Sequence, residues 1–99
     1  MYVELHREAE AEINGHAEFY EREVPGLGLR FLHHIECALA LVKSQPLLGR
    51  KSDGPFRRLV LSEFPFSIIY VPEAERVWII AVAHQRRRPG YWRTRLDLA

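Results

Sequence analysis

Apolar and polar positions change period several times along the chain. Tyr2-Val3-Glu4-Leu5 alternates and reads as a short strand with Val3 and Leu5 on one face. From about Arg7 the spacing becomes helical: Ala9, Ile13, Ala17 and Tyr20 form one stripe. The glutamates lie mainly off that stripe, and those near its start suit the positive end of a helix dipole. Gly15 weakens the middle of this helix by about 1 kcal/mol relative to alanine. Val24-Pro25-Gly26-Leu27-Gly28 stops the helix and permits a reversal. A second helix is predicted from about Leu27 to Ser44, with Gly28, Phe31, Leu32, Ile35, Leu39 and Val42 as its apolar stripe. Pro46 biases Gln45 away from helical angles and closes it. The short connection implies an antiparallel helical hairpin.

Leu47 to Pro55 reads as a loop carrying Gly49, Arg50, Lys51, Ser52, Asp53 and Gly54. Three strand-like runs follow, at 56–61, 66–71 and 77–83, separated by turns around Glu63-Phe64-Pro65 and Pro72-Glu73-Ala74-Glu75. Short loops between consecutive strands favour antiparallel pairing. The last run is apolar on both faces, as a central, covered strand should be. The order β-α-α-β-β-β predicts an α+β fold in which the N-terminal helical hairpin packs on one face of an antiparallel sheet. The first strand can return to complete the sheet. The sheet's other face has no evident cover, so a partner or substrate is expected there. At 99 residues the chain has room for one domain, 1–99.

Net charge is only +1, but its distribution is uneven. Residues 1–25 carry seven glutamates against Arg7 and Arg22, whereas residues 76–95 carry six arginines and no acid. The final stretch, His84-Gln85-Arg86-Arg87-Arg88-Pro89-Gly90-Tyr91-Trp92-Arg93-Thr94-Arg95, joins fixed charge to aromatic rings. That combination suits phosphate and base contacts or an acidic partner. A freely solvated tail is disfavoured, because Tyr91 and Trp92 are costly to leave in water. Cys37 is the single cysteine, which excludes an internal disulfide and favours a reducing compartment. Neither a signal peptide nor an apolar run of roughly 20 residues is present, so a cytoplasmic protein without membrane contact is expected. His33 and Cys37 are helical neighbours, but no second pair completes a metal site, and no metal or other cofactor is expected.

The full ordered set of segments resembles the RelE/ParE superfamily of type II toxin–antitoxin toxins. The resemblance is carried by Val3-Glu4-Leu5, by Phe19-Tyr20-Glu21 near the end of the first helix, and by Gly28-Leu29-Arg30-Phe31-Leu32 opening the second. It continues through Pro46, Arg57-Arg58, Phe64-Pro65-Phe66-Ser67-Ile68-Ile69-Tyr70, and the run from Val82 to Trp92. The His-x-Arg-Arg pattern at the end of the last strand looks most like the ParE-type, plasmid stabilisation branch. The resemblance implies a growth-inhibiting cytoplasmic toxin neutralised by a cognate antitoxin. ParE-type members act on DNA gyrase. RelE-type members cut messenger RNA in the ribosome, and a non-toxic interaction domain is a further alternative.

Metal-independent RNA cleavage needs a base, charge on the scissile phosphate and a proton donor. His84 is a candidate base or acid, Arg86 and Arg87 candidate phosphate ligands, and Tyr91 a candidate stacking residue or proton donor; these four are the catalytic set if the protein is a nuclease. Arg50, Lys51, Arg57, Arg58, Arg88, Trp92, Arg93 and Arg95 are candidate target- or phosphate-binding residues. Strand alternation puts Arg57 and Arg58 on opposite faces, so only one of them should face the site. The competing reading has His84 capping a strand end and the arginines binding antitoxin carboxylates. Whether the protein is an enzyme is left open by the sequence.

Overall fold

The protein is described by a computed structural model covering residues 1–97. The alternating N-terminus forms β1 (Tyr2–Leu5), and the two amphipathic stripes form α1 (Arg7–Glu23) and α2 (Leu27–Ser44). There follow β2 (Arg50–Lys51), β3 (Arg57–Val60), β4 (Phe66–Pro72), β5 (Arg76–His84) and a short α3 (Arg93–Asp97). One five-stranded sheet has the order β1-β5-β4-β3-β2. From β2 to β5 neighbours are antiparallel, while β1 joins β5 in parallel. The sheet is therefore mixed at one edge: the helical hairpin carries the chain from β1 to β2 at the far edge, and the antiparallel meander brings it back to β1 with β5 running in the same direction. The short β2 lies inside the stretch that reads as loop from sequence.

The two helices meet closely at Gly28. A Cβ there would lie 2.5 Å from the Ala17 carbonyl oxygen, so only glycine permits this approach. Glu21 from α1 then takes the place of a side-chain N-cap on α2: its oxygens accept the Gly26 N–H at 2.9 Å and the Gly28 N–H at 3.0 Å. The hairpin covers one face of the sheet. Ala9, Ile13, Ala17, Phe31, Ile35, Ala38 and Val42 pack there against Phe66, Ile68, Tyr70, Val77, Ile79 and Val82. Phe19 stays outside this core, 50% exposed.

The other face is not bare. Phe56, Ile69, Val71, Trp78, Ile80, Ala81 and Ala83 are covered by this chain's own C-terminal segment, with Trp92 at the centre and Tyr91 and Leu96 beside it. The expectation of an uncovered face fails because the arginine-rich stretch turns back over the sheet. Gly90 makes the turn at φ 82°, a left-handed conformation that L side chains rarely adopt. A β-bulge also contributes. Ile69 pairs with Ala81 and Tyr70 with Ile79, so Ile80 is the extra residue. It lets Ile80 and Ala81 both join the second core, and with both faces covered the run from 77 to 83 is apolar on each.

Candidate functional site

The arginines that look equivalent in sequence are sorted by the fold. Arg57 sits on the helical face, where its Nη1 donates to the carbonyls of Leu47 at 3.1 Å and Gly49 at 2.8 Å. It therefore holds the 47–49 loop in place. The same loop is tied by Tyr70, whose hydroxyl donates to the Pro46 carbonyl and accepts the Gly49 N–H, each at 2.8 Å. Tyr70→Phe strands that buried N–H and is expected to cost about 1–3 kcal/mol in urea unfolding, with faster amide exchange confined to residues 46–52. An unchanged midpoint would show that water takes over the bonds.

Beyond Leu5, β1 no longer covers the edge of β5; the last backbone bond on that side is His6 N–H to the Ile79 carbonyl, 2.8 Å. The exposed edge is closed by side chains. Arg95 Nη1 donates to the Ile80 carbonyl at 3.0 Å, and Glu12 Oε1 accepts the Val82 N–H at 2.9 Å. The two residues form a double bond set with each other, at 3.0 and 2.8 Å, and the Tyr91 hydroxyl donates to Glu12 Oε2 at 2.7 Å. Burial pushes the Glu12 carboxyl up, but hydrogen bonds from Arg95, Tyr91 and Val82 outweigh it and hold it below its ordinary value. Burial and the adjacent carboxylate push the Tyr91 hydroxyl well above the phenol range. Arg95, 7% exposed, and Tyr91 are thus committed to this edge, and Arg93 is paired with Asp53. The Arg87 guanidinium lies 3.9 Å from the Tyr91 ring centre. Arg86 and Arg88 are exposed in the turn.

His84 and Arg58 belong to opposite faces of the sheet, yet both line one pocket. His84 pairs in register with Phe66, its ring edge-on to that phenyl at 5.0 Å, on the helical side. His16 packs against the same phenyl at 4.5 Å, and burial pushes its imidazole down. His84 Nδ1 accepts the Arg86 N–H at 3.0 Å, so the proton of the neutral ring is on Nε2. While that bond stands, His84 has no free lone pair with which to act as a base.

Arg58 is on the opposite face, with Ile69 as its cross-strand partner and its guanidinium 5.8 Å from the Trp92 ring centre. It opens into a pocket of about 210 Å³ lined by Arg58, Val60, Ser67, Ala83, Pro89 and Trp92, together with His84, Gln85 and Arg87. Among the described residues no carboxylate lines this pocket. Arg58 Nε and Trp92 Nε1, on two of the lining residues, are closed to water and without a hydrogen-bond partner among the described residues. Each such donor costs about 1–3 kcal/mol. Sequence reasoning named both residues but gave no sign that they meet. Glu12, which organises the β5 edge, is hidden in sequence among seven similar glutamates.

On α2, Cys37 Sγ lies 3.6 Å from His33 Nε2. Among the described residues no group of three or more His, Cys, Asp or Glu side chains converges on a metal. No helix there is long and apolar enough to cross a membrane.

A family model described as the ParE toxin of type II toxin–antitoxin systems, parDE, matches residues 3–89. The chain belongs to this toxin family. The family match spans α1 through β5 and stops short of Trp92 and α3, so the lid over the second face lies outside it. Among solved structures the chain is similar to a chain of the chromosomal ParDE toxin–antitoxin system from P. aeruginosa. The two share 22% identity at a TM-score of 0.76, over 85% of this chain and 95% of that one. At that identity the likeness supports a ParE-like fold. No curated protein matches significantly.

Proposed function

We propose that the protein is a ParE-type toxin that acts in the cytoplasm by inhibiting DNA gyrase and is held inactive by an antitoxin. Membership of the family supports the toxin role, and the similar solved chain comes from a toxin–antitoxin assembly. The choice of gyrase over messenger RNA is supported by one observation: the two candidate proton-transfer groups are already engaged within the chain. The Tyr91 hydroxyl is bonded to Glu12, and His84 Nδ1 accepts the Arg86 amide. An inhibitor needs no proton transfer, so nothing in this arrangement obstructs it.

The test uses the purified protein with gyrase and relaxed plasmid, and separately with programmed ribosomes. Inhibited supercoiling with intact message is the expected result. Codon-positioned cuts with normal supercoiling would overturn the proposal in favour of a ribosome-dependent nuclease. Growth arrest on expression, relieved by the co-expressed neighbouring gene, checks the antitoxin.

A further inference from the structure

We infer that the pocket beneath Arg58 is an oxyanion site that takes a single phosphoryl group. Three independent observations point there.

The first is its chemistry. The pocket is lined by Arg58, Trp92 and Ser67, and among the described residues no carboxylate lines it. Four other arginines have anionic partners: Arg30 has Glu63, Arg76 has Glu4 and Glu73, Arg93 has Asp53, and Arg95 has Glu12. Arg58 is part-buried and has no such partner among the described residues.

The second is the orphaned donors. Trp92 is 3% exposed and its Nε1–H is unsatisfied, as is Arg58 Nε–H. Buried donors are normally paired, and an acceptor-only ligand with several oxygens is the species that this set lacks.

The third is the ladder beside the pocket. Arg50 of β2 lies directly opposite Arg58 of β3, which puts two cations on the same sheet face. Like charges directly opposite repel, and a polyanionic group between them turns that repulsion into a clamp. A tetrahedral phosphoryl group fits a guanidinium fork better than chloride does, because it accepts two parallel N–H bonds. The same chemistry is supplied by free phosphate or by a phosphodiester in a nucleic-acid strand. The site is separate from the gyrase reading and stands or falls without it.

The experiment is an NMR titration of the full chain, following the two indole N–H signals at constant pH. Inorganic phosphate is compared with chloride at matched ionic strength. The expected result is a saturable shift of the Trp92 signal, with Trp78 unmoved. Arg58→Gln is expected to weaken phosphate binding at least tenfold and Arg50→Gln several-fold, whereas Arg22→Gln on the exposed face of α1 leaves it unchanged. Arg50 is exposed, so its variant keeps the test decisive should Arg58→Gln unfold the protein. A short oligothymidylate that displaces phosphate identifies a phosphodiester as the source; one that fails to compete while phosphate still saturates identifies free phosphate. Shifts that are linear and equal in phosphate and chloride, or saturable but indifferent to both arginine variants, would overturn the inference.

Discussion

Glu12→Ala is expected to destabilise the protein by about 3–5 kcal/mol, because it leaves the buried Arg95 guanidinium without its counter-charge. The loss has three parts. Arg95 keeps its bond to the Ile80 carbonyl but loses two bonds to carboxylate oxygens. The Val82 N–H and the Tyr91 hydroxyl lose their acceptor. The open edge of β5 then carries unpaired polar groups. Arg95→Met in the same chain should recover part of the loss, since the uncompensated charge goes with it. The pH dependence has a definite sign. The Glu12 carboxyl titrates below its ordinary value of 4.5 in the folded protein. Its contribution is therefore present above that value and is lost as the pH falls through the lower, folded pKa. Acid unfolding of the wild type should include this component, and Glu12→Ala should lack it. Urea unfolding from pH 7 to 3 measures both; a loss under about 1 kcal/mol at pH 7 would mean that water replaces the carboxylate at little cost.

Trp78→Ala is the second large effect, about 3–5 kcal/mol. Trp78 is 5% exposed on the second face of β5, beside Val71 of β4 and Glu4 of β1. Its ring carries the Arg76 guanidinium at 4.3 Å and the His6 ring at 6.0 Å. Truncation removes the core volume and the cation–π contact, the latter worth about 0.5–1 kcal/mol at a partly exposed site. Trp78→Phe should retain more than half of the stability that alanine forfeits. Urea midpoints for the two variants decide the matter, and equal losses would show that the indole's extra ring packs against nothing that matters.

The helices were legible because their signal is local. The stripe from Gly28 to Val42 gives α2 its ends, and Pro46 gives it a stop. The parts that depend on distant residues were not legible. A two-residue strand such as Arg50-Lys51 has no periodicity of its own; it is held by Tyr70, 21 positions from Gly49. The cover over the second face was hidden because a stretch rich in arginine, with proline and glycine inside it, carries no apolar rhythm. Among the described residues its fully buried apolar anchor is Trp92, with Tyr91 and Leu96 beside it. For the site, alternation already separated Arg57 from Arg58, and the fold keeps that separation. Alternation could not place His84 relative to Arg58, because the bulge at Ile80 shifts the faces of β5 by one residue. Which arginine is committed and which is left to bind depends on where each acid lies in space, and Glu12 is 83 positions from Arg95.

That last separation has a consequence for synthesis. The Glu21 clamp on the Gly26 and Gly28 amides spans only five and seven positions, so the α1–α2 hairpin can form while the rest of the chain is still being translated. The β5 edge is different. Its strand is complete at His84, but the guanidinium that seals it arrives eleven codons later, with Arg95, and its carboxylate has by then been waiting in α1 since the first turns of the helix. A chain truncated within that interval and released presents an unsealed strand, a buried-type glutamate without its cation and a second core without Trp92, all at once.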